Sequence, residues 1–101
     1  MAVTLINPFE VEPGTEDRFM ESWQEAADYM RRQSGFISSR LHRALAPNAQ
    51  FQFINVAEWE SPQDFMKAVQ SPEFQKLAAG APPNFPGLYE VVTTQDAPSE
   101  A

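Results

Sequence analysis

The sequence predicts a single α+β domain in which strands and helices follow one another as β-α-β-β-α-β. Three observations predict it. Four segments alternate apolar and polar residues at period two, as half-buried strands do. Two longer segments repeat apolar residues three and four apart, as helices with one buried stripe do. Turn and cap chemistry separates them: Pro13-Gly14-Thr15, Ser34-Gly35 and Ser61-Pro62.

The elements follow in order. From Val3 to Val11 the residues Val3, Leu5, Asn7, Phe9 and Val11 fall on one side of a strand, with Thr4, Ile6, Pro8 and Glu10 on the other. Pro8 has no backbone donor, so an edge position or a bulge is expected there. Thr15 is the expected N-cap of the first helix, in which Phe19, Trp23, Ala26 and Met30 make one stripe. Arg31 and Arg32 suit its last turn and Gly35 its end. Phe36 to Leu45 is the second strand, and APNAQ the turn to the third, Phe51 to Glu60. Ser61 caps a second helix running to about Ala79, with Pro62 at its first position and Phe65, Ala68, Val69, Phe74 and Leu77 inward. Ser71-Pro72 interrupts it, so a kink or a restart is expected. The proline-rich loop 80–87 leads to a fourth strand, Leu88 to Gln95.

Two helices on one face of a four-stranded antiparallel sheet is the ferredoxin-like arrangement. A lone domain of that kind shows water a polar outer sheet face. Here Ile6, Ile54 and Val56 occupy the face opposite the Phe53/Asn55 set. A second copy using the same face is the simplest cover, so a homodimer through the open sheet face is expected.

Composition narrows the function. A net charge of −7 argues against nucleic acid or an anionic membrane as partner. There is no cysteine and one histidine, which leaves no thiolate chemistry and no His/Cys zinc set. Glu10/Glu12 and Glu58/Glu60 alternate on one side but lack a third ligand. With no apolar run of membrane length and an N-terminus too polar for a signal peptide, a cytoplasmic protein is expected.

The segment FQFINVAEWESPQDF is the most telling. Phe51, Phe53, Asn55, Ala57 and Trp59 share one strand face, so an amide and an indole stand four residues apart on an apolar surface. A buried amide without a partner costs about 1–3 kcal/mol, which points to a pocket or a specific network. Asn7 stands in the same relation to Leu5 and Phe9. His42, the one side chain with an ordinary pKa near neutrality, is a candidate base, although Arg40 and Arg43 beside it fit a solvated face.

INPFEVEPG, RRQSGF and NVAEWES followed by Phe65 together resemble the antibiotic biosynthesis monooxygenase (ABM) superfamily, the dimeric α/β-barrel proteins, over residues 3 to about 93. The resemblance implies an ABM-like ferredoxin-fold domain over residues 1–95, followed by a disordered tail, 96–101. One branch is similar to quinone-forming oxygenases of aromatic polyketide pathways, where an Asn and a Trp four apart line the cavity; Asn55 and Trp59 match them. A tyrosine of that branch, six residues beyond the tryptophan, is Phe65 here. The heme-degrading branch has an Asn in strand one, matched by Asn7, a Trp matched by Trp59, and a histidine ligand on the second helix. Residues 61–79 contain no histidine.

The resemblance therefore implies a cofactor-independent monooxygenase acting on an electron-rich phenol, anthrone or hydroquinone with dioxygen. Asn55, Trp59 and His42 are its candidate catalytic residues, and Asn7, Trp23, Phe53, Phe65 and Tyr89 its candidate substrate contacts. Neither a metal nor a cofactor is expected. A non-catalytic dimer that binds a small hydrophobic ligand, and a heme-degrader homologue without the usual ligand, are the alternatives. Each candidate also has a plain structural role open to it: Trp59 and Trp23 as core anchors, and the asparagines as ties to neighbouring backbone.

Overall fold

Two central strands carry the fold in the computed structural model, which describes residues 1–99. β1 (Val3–Phe9) pairs antiparallel with β3 (Phe53–Trp59) in unbroken register from Val3↔Trp59 to Phe9↔Phe53. β2 (Phe36–Arg43) flanks β3, and β4 (Gly87–Tyr89) flanks β1, giving the order β2-β3-β1-β4. α1 (Glu16–Met30), α2 (Pro62–Val69) and α3 (Pro72–Ala78) cover one face. This is the expected ferredoxin-like α+β fold, its second helical segment restarting at Pro72. Among the described residues no helix is long and apolar enough to cross a membrane.

The core lies between the helices and the odd-numbered residues of β1 and β3. Leu5, Ala57, Trp59, Phe65 and Ala68 form one cluster, and Phe9, Val11, Phe19 and Phe53 the other. The expected Ser61 cap forms, its Oγ accepting from the Asp64 N–H at 3.1 Å, and the restart at Pro72 is capped in the same way by Ser71, whose Oγ accepts from the Phe74 N–H at 3.2 Å. Tyr29 and Ser71 share a hydroxyl–hydroxyl bond of 2.7 Å that ties α1 to the start of α3.

Several expectations need correction. Pro8 lies in a central strand without a bulge. Its carbonyl accepts from the Phe85 N–H and the Glu10 N–H donates to the Pro83 carbonyl, so the backbone groups of these even residues face the loop. The ring nitrogen of Pro8 therefore costs the β1–β3 ladder no donor. Thr15 makes no cap bond; its hydroxyl turns back to the Glu12 carbonyl at 2.7 Å. Helix α1 ends at Met30, so Arg31 and Arg32 follow it, both reaching Asp28. β4 stops at Tyr89, not Gln95, because Tyr89 already pairs with Thr4 and the pairing of β1 ends at Val3. The expected tail, 96–101, has no regular structure over residues 96–99, and residues 100–101 lie outside the described residues.

Gly35 shows how tightly the α1–β2 turn is set. Its φ is +88°, and a Cβ there would collide with the Asp64 carboxylate that closes the cap of α2. Gly35→Ala should combine about 1–2 kcal/mol of left-handed strain with partial loss of a cap of similar size. A thermal melt should show a fall of roughly 10 °C or more. Gly14→Ala, at φ +89° with nothing near its would-be Cβ, should show the conformational part alone.

Candidate functional site

A cavity of about 1020 Å³ lies between the sheet and the helices. Its floor is the helix-facing side of β1 and β3: Leu5, Asn7, Phe9, Asn55, Ala57 and Trp59. Its walls come from α1 through Phe19, Trp23 and Met30, from α2 through Phe65, and from α3 through Phe74 and Leu77. Loop residues Pro82, Pro83 and Pro86 complete it, held by the two backbone bonds to Pro8 and Glu10. The volume suits a ligand of drug size or larger, and the lining is mainly hydrophobic and aromatic with a few polar groups.

Three polar atoms decide what this cavity can do. Among the described residues, the buried side-chain nitrogens and oxygens without a hydrogen-bond partner are Asn7 Oδ1, Asn55 Oδ1 and Trp59 Nε1. All three belong to cavity-lining residues. Asn7 and Asn55 are direct partners across the β1–β3 ladder, so their amides stand side by side. Trp59 lies four residues along β3, about 13 Å at roughly 3.3 Å per residue. Packing does not require a buried polar atom here, and each one left unpaired costs about 1–3 kcal/mol. The arrangement offers two amide oxygens at one end to accept from a ligand's hydroxyls, and an indole N–H at the other to donate to a ligand's oxygen.

The tryptophan is rigidly held. It is 1% exposed, with Phe36 edge-on at 5.3 Å and Phe65 edge-on at 5.7 Å. Phe65 carries no hydroxyl and serves as an aromatic wall.

The structure gathers Asn7, Trp23, Asn55, Trp59 and Phe65 of the expected residues around one cavity. Phe53 is fully buried beneath Phe19, with the Arg43 guanidinium over its ring, and is core rather than lining. Tyr89 pairs with Thr4 and is exposed on the open sheet face. His42 pairs with Ile54 on that same open face and is exposed, so the protomer does not bring it to its cavity.

A β-bulge explains His42. Phe36 pairs with Trp59 and lines the cavity, yet Ser38 pairs with Glu58, an open-face residue. The irregularity at Ile37 shifts the alternation by one, which turns Ser39 and Leu41 to the helices and Arg40 and His42 away. Ser39, a polar lining residue, was hidden from sequence reasoning for the same reason. Among the described residues no cluster of three or more His, Asp or Glu could hold a metal ion.

Residues 2–80 match the model of a family described as antibiotic biosynthesis monooxygenase. Among solved structures, a candidate monooxygenase from Shewanella loihica PV-4 is 36% identical, covering 92% of this chain and 96% of that one, with a TM-score of 0.83. SnoaB, a cofactor-independent oxygenase from Streptomyces nogalater, is 26% identical over 92% of this chain and 95% of its own, with a TM-score of 0.80. A dimeric protein of ferredoxin-like fold from Bacteroides fragilis, at 18% identity, 89% and 96% coverage and a TM-score of 0.69, shares the fold. No protein of curated function matches the sequence.

Proposed function

Since the chain belongs to the antibiotic biosynthesis monooxygenase family, we propose that it is a cofactor-independent monooxygenase that oxidises an electron-rich phenol, anthrone or hydroquinone with dioxygen. The observation that carries this reading is the set of three unpartnered polar atoms, Asn7 Oδ1, Asn55 Oδ1 and Trp59 Nε1, on residues lining one apolar cavity. The likeness to a cofactor-independent oxygenase supports it.

The substrate supplies the electrons. Loss of a phenolic or enolic proton gives an anion that reduces dioxygen by one electron. The resulting radical and superoxide join at carbon, and the peroxide takes up a proton. Loss of water then leaves a carbonyl, so an anthrone methylene and O₂ become a carbonyl and H₂O. The Nδ2–H groups of Asn7 and Asn55 donate to the oxygen on which charge gathers, their Oδ1 atoms accept from a substrate hydroxyl, and the Trp59 N–H fixes the far end of the ring system. The apolar walls keep water from the radical pair. Glu10 and Glu12, which also line the cavity, are the carboxylates available to pass the proton to solvent. The test is oxygen uptake by metal-free, flavin-free protein with a panel of anthrones and hydroquinones, compared with buffer. No acceleration across the panel would leave a ligand-binding role as the better account.

Heme is expected to bind poorly. The only histidine is His42, on the far sheet face, and α2 and α3 carry none. A heme titration should give broad, unsaturable absorbance, whereas a sharp Soret shift at one heme per chain would reverse this ordering of the family's chemistries.

The open sheet face supports a homodimer. Ile6, Ile54 and Val56 lie on it uncovered by any helix, and Ile6 is 36% exposed.

A further inference from the structure

Among the described residues, one polar side chain of the sheet faces the cavity besides Asn7, Asn55 and Trp59: Ser39 of β2. The pairing register fixes where it stands. Ser39, Ala57, Leu5 and Leu88 form one row across the sheet, and all four line the cavity. The row of Asn55 and Asn7 lies two residues to one side, and the row of Trp59 two residues to the other. Ser39 is therefore the diagonal neighbour of both Asn55 and Trp59, about 7–8 Å from each.

Nothing on the sheet competes for the Ser39 hydroxyl. Its row neighbour is Ala57, and the β2 residues beside it on this face are Phe36 and Leu41, which carry no polar group. The side chain is half-buried. Ala57 is too small to screen the hydroxyl from a ligand lying on the floor. The opposite end of the same row is hydrocarbon, Leu5 and Leu88. A ligand stretched from the amides to the indole thus meets a hydroxyl midway along one long edge and an apolar wall along the other.

We infer that Ser39 is a specificity-determining residue of this site. Its substrate is then a phenol or hydroquinone of three joined rings with a further oxygen midway along one long edge and none on the other. The span of about 13 Å between Asn55 and Trp59, shortened by the side chains at its two ends, suits three rings rather than one. The Ser39 O–H donates to a carbonyl on the β2 side or shares a bond with a hydroxyl there. An oxygen on the opposite edge would be buried against Leu5 and Leu88 without a partner, so the row also fixes which way round the ring system lies.

This inference rests on the ligand placement proposed above, and binding separates it from the oxygenase reading. The probes are the 2,7-diols of fluorenone and fluorene, which share three joined rings and an oxygen at each end. The ketone alone adds an oxygen midway along one edge. Dissociation constants are measured without dioxygen, by quenching of tryptophan fluorescence. The parent should bind the ketone about tenfold more tightly than the methylene compound, the scale of one neutral hydrogen bond. Ser39→Ala should weaken the ketone alone and bring the two constants together. Ser39→Thr keeps the hydroxyl and should keep the preference. Ser38→Ala, on the open face opposite Glu58, should leave it undisturbed. A preference absent from the parent, or surviving in Ser39→Ala, overturns the assignment. If that protein still accelerates oxygen uptake and Asn55→Ala slows it, the oxygenase reading stands alone. If the preference depends on Ser39 while no phenol is oxidised, the contact belongs to a binding site without turnover. If the parent binds neither probe, the ligand placement and the Ser39 assignment fall together.

Discussion

Asn55→Ala should lose about a hundredfold in oxygen uptake while the protein melts no lower than the parent. The size follows from what is removed: one preorganised polar group at a developing oxyanion in a water-poor site is worth roughly 10²–10³ in rate. The stability follows from the missing partner. An asparagine kept for structure would be bonded to backbone, and its loss would orphan that group at a cost of about 1–3 kcal/mol. Asn55 Oδ1 is bonded to nothing, so truncation removes a buried penalty. The two roles thus predict opposite signs of the change in melting temperature. Asn7→Ala should behave alike, because Asn7 is its ladder partner and carries the same orphan. The double variant should be little worse than either single one if both amides hold one oxygen. Trp59→Phe keeps an aromatic face and removes the N–H, so it should raise KM by about tenfold or less, the scale of one hydrogen bond. Trp59→Ala is uninformative, since truncating a side chain packed between Phe36 and Phe65 costs about 3–5 kcal/mol by itself. Parent-like turnover in Asn55→Ala, or a fall in its melting temperature, would sink the catalytic assignment.

The central part of this site was legible in the sequence because β1 and β3 are regular. Their period of two carries through without a break, so Asn7, Asn55 and Trp59 could be placed on one face from spacing alone. The Ser61 cap was equally legible, because a serine followed by proline marks a helix start, and Ser71-Pro72 was legible as a break or restart. What could not be read lies where one residue changes parity or where pairing depends on a distant strand. The bulge at Ile37 carries no glycine or proline to betray it, yet it decides the face of Ser39 and His42. The end of β4 is set by β1, not by its own sequence. Residues 88–95 look like one strand since their propensity is uniform, and only the register Thr4↔Tyr89 shows where pairing stops.

Val56→Glu should convert the proposed dimer to monomer at micromolar concentration without unfolding it. Val56 pairs with Ile6 on one side and Arg40 on the other, at the centre of the open face. In a lone protomer this face meets water, so a carboxylate there costs little, and Arg40 can even offset a fraction of a kcal/mol. In a dry interface the same carboxylate is buried without an adequate partner, at about 3–5 kcal/mol. A twofold axis places it there twice, so the loss in dimer affinity should exceed a thousandfold. Ile6→Glu tests the face where no cation is opposite, since the ladder partners of Ile6 are Val56 and Gly87. It should dissociate the dimer at least as completely. The cavity is lined by residues of one chain, so a monomer made in this way should still bind an aromatic ligand. If both variants remain dimers of parental affinity, the apolar face is not the interface. If both lose ligand as well as partner, with melting temperatures unchanged, the cavity depends on the second copy in a way that a single chain does not show.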